Sequence, residues 1–253
     1  MRFGCCTDIN HSAIVKEAGF DFLECTVVSL VPDNDDDFER IFNTYKQSPL
    51  PIEACNIFLP GNLKIVGNEV NYGAVERYVD KALSRVKQIG ARTVVFGSGR
   101  ARSLPEAFSR VKGEEQIITF LDIVADYADP LGITVVIEPL NRKESNMINS
   151  IPEAMEIAKK VNRDSIQVLA DFYHMHEEKE PIEHLVSAKD LLKHIHVADS
   201  GRFAPGTGTY PYKTFVHCLK EANYDGLVSI ECNWKDFETE IYQTKQFLQN
   251  LFE

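Results

Sequence analysis

The sequence predicts an α/β protein, a (β/α)8 barrel forming a single domain over residues 1–253. Three observations lead there. Eight short apolar runs recur along the chain, longer amphipathic segments separate them, and 253 residues divide into units of about 32, which suits a compact barrel. No linker rich in Ser, Pro or Gly and no low-complexity block interrupts the alternation. A doubly wound open sheet is the competing architecture. It normally carries a glycine-rich turn after its first strand, whereas here that strand leads into Cys6-Thr7-Asp8-Ile9.

Taken in order, the expected strands are 3–6, 22–26, 53–58, 93–96, 134–138, 166–171, 194–198 and 227–231. Each is β-branched or aromatic and nearly continuous in apolar residues, the pattern of strands covered on both faces in a parallel sheet. Between them, 72–89 places Val75, Val79, Leu83 and Val86 on one helical face, and 116–128 does the same with Ile117, Phe120, Leu121 and Val124. A helix is expected to start at Ser150-Ile151-Pro152-Glu153, where a capping-box pattern coincides with proline in the first turn. A last amphipathic helix is expected over 237–251.

Composition narrows the classes of function. A hydrophobic fraction of 44% and a charged fraction of 26% are those of an ordinary globular protein. No run reaches the roughly 18 apolar residues of a membrane helix, so no membrane partner is expected. The formal net charge of −11 argues against nucleic acid, which needs a basic footprint. The six cysteines form no CxxC pair and no zinc spacing, and the chain opens on what reads as a strand rather than a secretory signal. A reducing, cytoplasmic setting is the expectation.

In a barrel, chemistry belongs at the C-terminal ends of the strands. Strands five to eight end on or contain Glu138, Asp171, His196 and Glu231, separated by 33, 25 and 35 residues, or about one βα unit each time. Any one of these alone would be ordinary, a loop-start residue or an ion-pair partner. Four in succession, each after an apolar run that would bury a charge at severe cost, imply convergence on one rim. Three carboxylates and an imidazole repel and desolvate one another without a counter-charge. One divalent metal ion supplies it, and oxygen donors with one nitrogen and no thiolate suit Mn²⁺, Mg²⁺ or Co²⁺ better than a structural Zn²⁺.

Several stretches together resemble a known family: Ile137-Glu138-Pro139-Leu140-Asn141-Arg142-Lys143-Glu144, Asp171-Phe172-Tyr173-His174-Met175, His194-Ile195-His196-Val197-Ala198-Asp199, Pro205-Gly206-Thr207-Gly208 and Ser229-Ile230-Glu231. The chain is similar to the xylose isomerase-like TIM barrel superfamily of sugar isomerases and epimerases, and within it to the ketose 3-epimerase branch. That resemblance implies metal ligation by Glu138, Asp171, His196 and Glu231, with Mn²⁺ as the expected ion and Zn²⁺ among the alternatives. It implies acid–base catalysis by Glu138 and Glu231 on the two faces of a sugar. Glu144, His174 and Arg202 match positions that hold substrate oxygens, and a dimer or tetramer is the implied assembly.

The chemistry needs such a set. A chelated ketose becomes acidic beside its carbonyl, so that one carboxylate can remove a proton, through an enediolate, and another can return one to the opposite face. That outcome is epimerisation at C3. Proton transfer to the adjacent carbon on the same face gives aldose–ketose isomerisation instead.

Rivals share the barrel. Inosose dehydratase and hydroxypyruvate isomerase would use the same four ligands. An endonuclease IV-like phosphodiesterase would need three zinc ions and more histidines, where strands three and four run out at Phe58-Leu59 and Phe96-Gly97-Ser98. A non-catalytic sugar-binding barrel is disfavoured by the intact ligand set. Glu24, Asp8 and His11 read as rim residues without a partner, and His176, His184, His194 and His217 as surface or helix residues. The Pro205–Gly208 turn is a weak candidate for cradling phosphate.

Overall fold

A computed structural model of the chain describes residues 1–32 and 34–252. Eight parallel strands close into a barrel in sequence order: β1 (Arg2–Cys6), β2 (Phe22–Thr26), β3 (Ile52–Asn56), β4 (Thr93–Phe96), β5 (Thr134–Ile137), β6 (Ile166–Asp171), β7 (Leu192–Val197) and β8 (Leu227–Ile230). Closure is made by β1 on β8, with Arg2 opposite Leu227 and Phe3 opposite Val228. The helices are α1 (Ser12–Glu17), α2 (Phe38–Lys46), α3 (Tyr72–Gln88), α4 (Gly99–Arg102), α5 (Arg110–Leu131), α6 (Ile151–Val161), α7 (Phe172–Glu177), α8 (His184–Ser187), α9 (Tyr212–Glu221) and α10 (Phe237–Phe252). The expected (β/α)8 barrel is therefore present.

The strand ends differ from expectation for local reasons. The third strand stops at Asn56 because Ile57 takes a left-handed backbone (φ 46°), which costs a β-branched residue and breaks the ladder. α5 is longer than 116–128 at both ends. Its first turn is capped by Ser109, whose hydroxyl accepts from the Lys112 amide, and it closes on Gly132 in a left-handed conformation. Ser150 caps α6 as expected, but Glu153 reaches one residue further back, accepting from the Asn149 amide at 2.7 Å.

Two cores hold the barrel. The larger packs the outer faces of the strands against the helices, with Phe120 meeting both Phe58 and Phe96. The smaller lies inside the barrel and consists of Val95, Val136 and Leu169. Side chains alternate along a strand, so the residues two steps beyond these three, Gly97, Glu138 and Asp171, also face the axis, one layer nearer the C-terminal rim. Two register shifts, between Leu23 and Glu24 and between Val168 and Leu169, fall just before site residues. Such irregularities re-aim the side chains that follow them. Among the described residues, no helix is long and apolar enough to cross a membrane.

Candidate functional site

Glu138, Asp171, His196 and Glu231 converge at the C-terminal rim, and one ligand atom from each lies within 4.8 Å of all the others. His196 Nδ1 is 3.3 Å from Glu138 Oε1 and 3.4 Å from Glu231 Oε2. Neither approach has hydrogen-bond geometry. Glu138 Oε1, Asp171 Oδ2 and His196 Nδ1 are all buried without a partner. Orphaned buried atoms of this kind call for an explanation such as an ion, and here the three point at one another. The donor set, three carboxylates and one imidazole, suits a hard or borderline divalent cation.

Each ligand atom is turned toward the cluster by a specific local arrangement. Asp171 Oδ1 caps α7, accepting from the amides of Tyr173 and His174, which leaves Oδ2 for the cluster. Glu231 Oε1 accepts from Asn56 Nδ2 at 3.0 Å, which turns Oε2 toward the cluster, where it also accepts from Arg202 Nη2. Glu138 Oε2 lies so close to Gly97 that a Cβ there would stand 2.2 Å away, so any side chain at this point would displace the Glu138 carboxylate.

His196 is fixed from below. Its Nε2 lies 2.9 Å from Glu24 Oε1, and His194 Nε2 lies 2.7 Å from Glu24 Oε2, all three side chains fully buried. A carboxylate only accepts, so both imidazoles must donate from Nε2, which leaves the lone pair of a neutral His196 on Nδ1, toward the cluster. Burial works against the charge on Glu24, yet His196 and His194 together hold its carboxyl well below the usual range. Burial holds His194 below the usual imidazole range despite Glu24.

Two sequence readings are thereby corrected. Glu24 is not a partnerless rim residue; it sits across the barrel from β7 and grips two histidines. His194 is not a surface or helix residue but an interior one, on the same strand face as His196. Asn56 was not foreseen at all. The alternation rule applied to His194-Ile195-His196 would have placed His194 inside, and Glu24 follows an apolar pair as Glu138 does. His176 and His217 are exposed as expected, and His184 is half-buried. Asp8 caps the turn after β1, accepting from the Asn10 amide, and His11 Nδ1 meets the Thr7 hydroxyl.

The substrate-side candidates also gather here. His174 is buried, and its Nδ1 accepts from the Asn141 amide at 3.2 Å, so its unpartnered Nε2 carries the ring proton in the neutral form. Glu144 accepts from Asn141 Nδ2 and from Arg202 Nη1, while Arg202 Nη2 donates to Glu231 Oε2 at 2.7 Å. Arg202 has a left-handed backbone (φ 63°), and its guanidinium lies over the Tyr173 ring. The Pro205–Gly208 turn offers no free anion cradle. Asp199 fills it, accepting from the amides of Ser200, Gly206 and Tyr210.

Two cavities meet at this cluster and share Asn56 and Glu231. The larger, about 460 Å³, is bounded by Ile57, Leu59, Gly97, Arg100, Glu138 and Arg202 among others. The smaller, about 300 Å³, runs over β1 and β2 past Cys6, Thr7, Asp8, Ser29 and Tyr45.

The barrel and its rim cluster define a (β/α)8 protein whose carboxylates and imidazole could hold one metal ion. The model of the xylose isomerase-like TIM barrel family matches residues 12–251, and the chain belongs to that family. It is 28% identical over 227 residues to the 3-dehydro-D-guloside 4-epimerase of Escherichia coli (strain K12), spanning 86% of this chain and 84% of that one. It is 26% identical over 226 residues to the D-psicose 3-epimerase of Agrobacterium fabrum, spanning 86% and 76%. In three dimensions it resembles the D-psicose 3-epimerase of Clostridium cellulolyticum H10, solved with D-tagatose, with a TM-score of 0.87 over the full length of both chains at 18% identity.

Proposed function

We propose that the protein is a divalent-metal-dependent sugar epimerase that inverts the carbon beside a ketose carbonyl, C3 of a 2-ketose, by removing and returning a proton. The observation that carries this reading is that two carboxylates from different strands, Glu138 and Glu231, both approach His196 Nδ1, at 3.3 and 3.4 Å. Relatives named as a 3-epimerase and as a 4-epimerase of a 3-dehydro sugar support it. Both names describe inversion next to a carbonyl.

Glu138, Asp171, His196 and Glu231 would hold the ion. When bound, it would polarise the sugar carbonyl and lower the energy of the enediolate; Mn²⁺ is the expected ion, with Mg²⁺, Co²⁺ or Zn²⁺ as alternatives. The chain's own residues do the rest. Glu138, at the end of β5, takes or delivers the proton on one face of the carbon, and Glu231, at the end of β8, does so on the other. Asn56 keeps Glu231 turned toward the cluster. The His174 Nε2–H and the Arg202 guanidinium donate to substrate oxygens as negative charge builds on them, with Glu144 orienting Arg202.

The test is wash-in of solvent deuterium at C3 of ketohexoses and ketopentoses, with Mn²⁺ added to metal-stripped protein. Exchange that accompanies formation of the C3 epimer is expected. Bound metal with no exchange on any ketose would sink the epimerase reading and favour a dehydratase or a sugar-binding barrel.

A further inference from the structure

Beside the larger cavity the chain carries three cations, Lys64, Arg100 and Arg102, of which only Arg100 lines it, and none of the three meets a carboxylate among the described residues. Two of them are engaged by backbone. Lys64 Nζ donates at 2.8 Å to the carbonyls of both Gly61 and Arg100. Arg102, fully buried, donates to the carbonyls of Phe96, Glu138 and Ile148. Arg202, across the cavity, is engaged by Glu144 and Glu231. Of these four cations, only Arg100 has a head group that makes no hydrogen bond among the described residues.

Arg100 is nevertheless held in place. Its carbonyl is clipped by Lys64, and its stem lies on Gly61, where a Cβ would stand 3.1 Å from Arg100 Cδ and 3.2 Å from its Cβ. The stem is thus fixed while the head is open to the cavity that also contains Glu138 and Glu231. Of the two arginines that border this cavity, Arg202 is taken up by Glu144 and Glu231, so Arg100 is the one whose charge is left to meet an anion. The smaller cavity contains Asp8 and the shared Glu231 and neither Lys nor Arg. The two ends of the cleft are therefore electrically distinct.

We propose that the substrate carries an anionic group, a carboxylate or a phosphate, which Arg100 receives in the larger cavity while the neutral hydroxyl-bearing end lies toward Thr7, Ser29 and Tyr45. The substrate class is then a sugar acid or a sugar phosphate rather than a neutral sugar. A guanidinium fork matches both anions. This inference rests on the sugar reading above and sharpens it.

Calorimetric titration of the Mn²⁺-loaded protein with D-fructose, D-fructose 6-phosphate and D-fructuronate tests it by binding alone. At least one anionic sugar is expected to bind about tenfold or more tightly than D-fructose, in line with one charge-assisted contact. Whether the phosphate or the carboxylate is preferred identifies the group. Arg100→Gln is expected to erase the preference and Arg100→Lys to keep part of it; Arg100 is exposed, so both variants should fold. Equal affinity for charged and neutral sugars would overturn the proposal. So would a preference that survives Arg100→Gln, because the metal would then be its source. Preferential binding without deuterium exchange would leave this inference standing and remove the epimerase reading instead.

Discussion

Glu138→Gln and Glu231→Gln are expected to fail on opposite epimers. Each glutamate is proposed to serve one face of the carbon, so deleting one base strands the epimer whose hydrogen points toward it. The other epimer should still exchange its proton with solvent through the remaining carboxylate, without being converted. Interconversion should fall by about 10²–10⁴, the usual contribution of a positioned acid–base group. Glutamine keeps a carbonyl oxygen that can still coordinate a divalent ion, so measurements at saturating Mn²⁺ separate loss of the base from loss of the metal. NMR of deuterium wash-in into each purified epimer reads the result. If both variants lost exchange on the same epimer, or either kept full interconversion, the two-faced assignment would be wrong.

The second large effect is expected at a residue that touches neither the sugar nor the ion. Glu24 accepts from Nε2 of both His194 and His196 and is fully buried. In Glu24→Gln one of the two acceptors becomes an NH₂ group, so one imidazole faces a donor instead of a carboxylate. The amide can serve only one of the two rings and carries no charge, so the pairing that fixes the tautomer and orientation of His196 is weakened. Outer partners of metal-bound histidines are typically worth 10–100-fold in metal affinity, and a loss of about that size is expected in the Mn²⁺ dissociation constant. Glu24→Asp is a useful companion, since it retains the charge on a shorter arm. Unchanged Mn²⁺ affinity in a folded Glu24→Gln protein would show that the triad does not support the ion.

The barrel was legible because both of its signals are local. Continuous apolar runs mark strands buried on both faces, and the helical stripes between them repeat at 3.6 residues. Glu138, Asp171, His196 and Glu231 were legible because a charge following such a run is costly unless something compensates it. Glu24 carries the same mark but was read as partnerless. Its partners lie on β7, and β2 is not β7's neighbour; they meet only through the closed barrel and the register shift between Leu23 and Glu24. That register is not written in either strand alone. Asn56 is an uncharged residue in an apolar run and gave no such signal. The left-handed turns at Ile57 and Arg202, which shape the cavity walls, are imposed by tertiary context against the preference of both residue types.

The central claim, that one divalent ion is held by Glu138, Asp171, His196 and Glu231, is tested most directly by titrating Mn²⁺ into metal-stripped protein in a calorimeter. One ion per chain is predicted, with Asp171→Asn and His196→Ala each weakening binding by about 100-fold or more while the proteins remain folded. Saturable binding at the same affinity in both variants would place the ion elsewhere, and no saturable binding in the parent protein would contradict the claim outright.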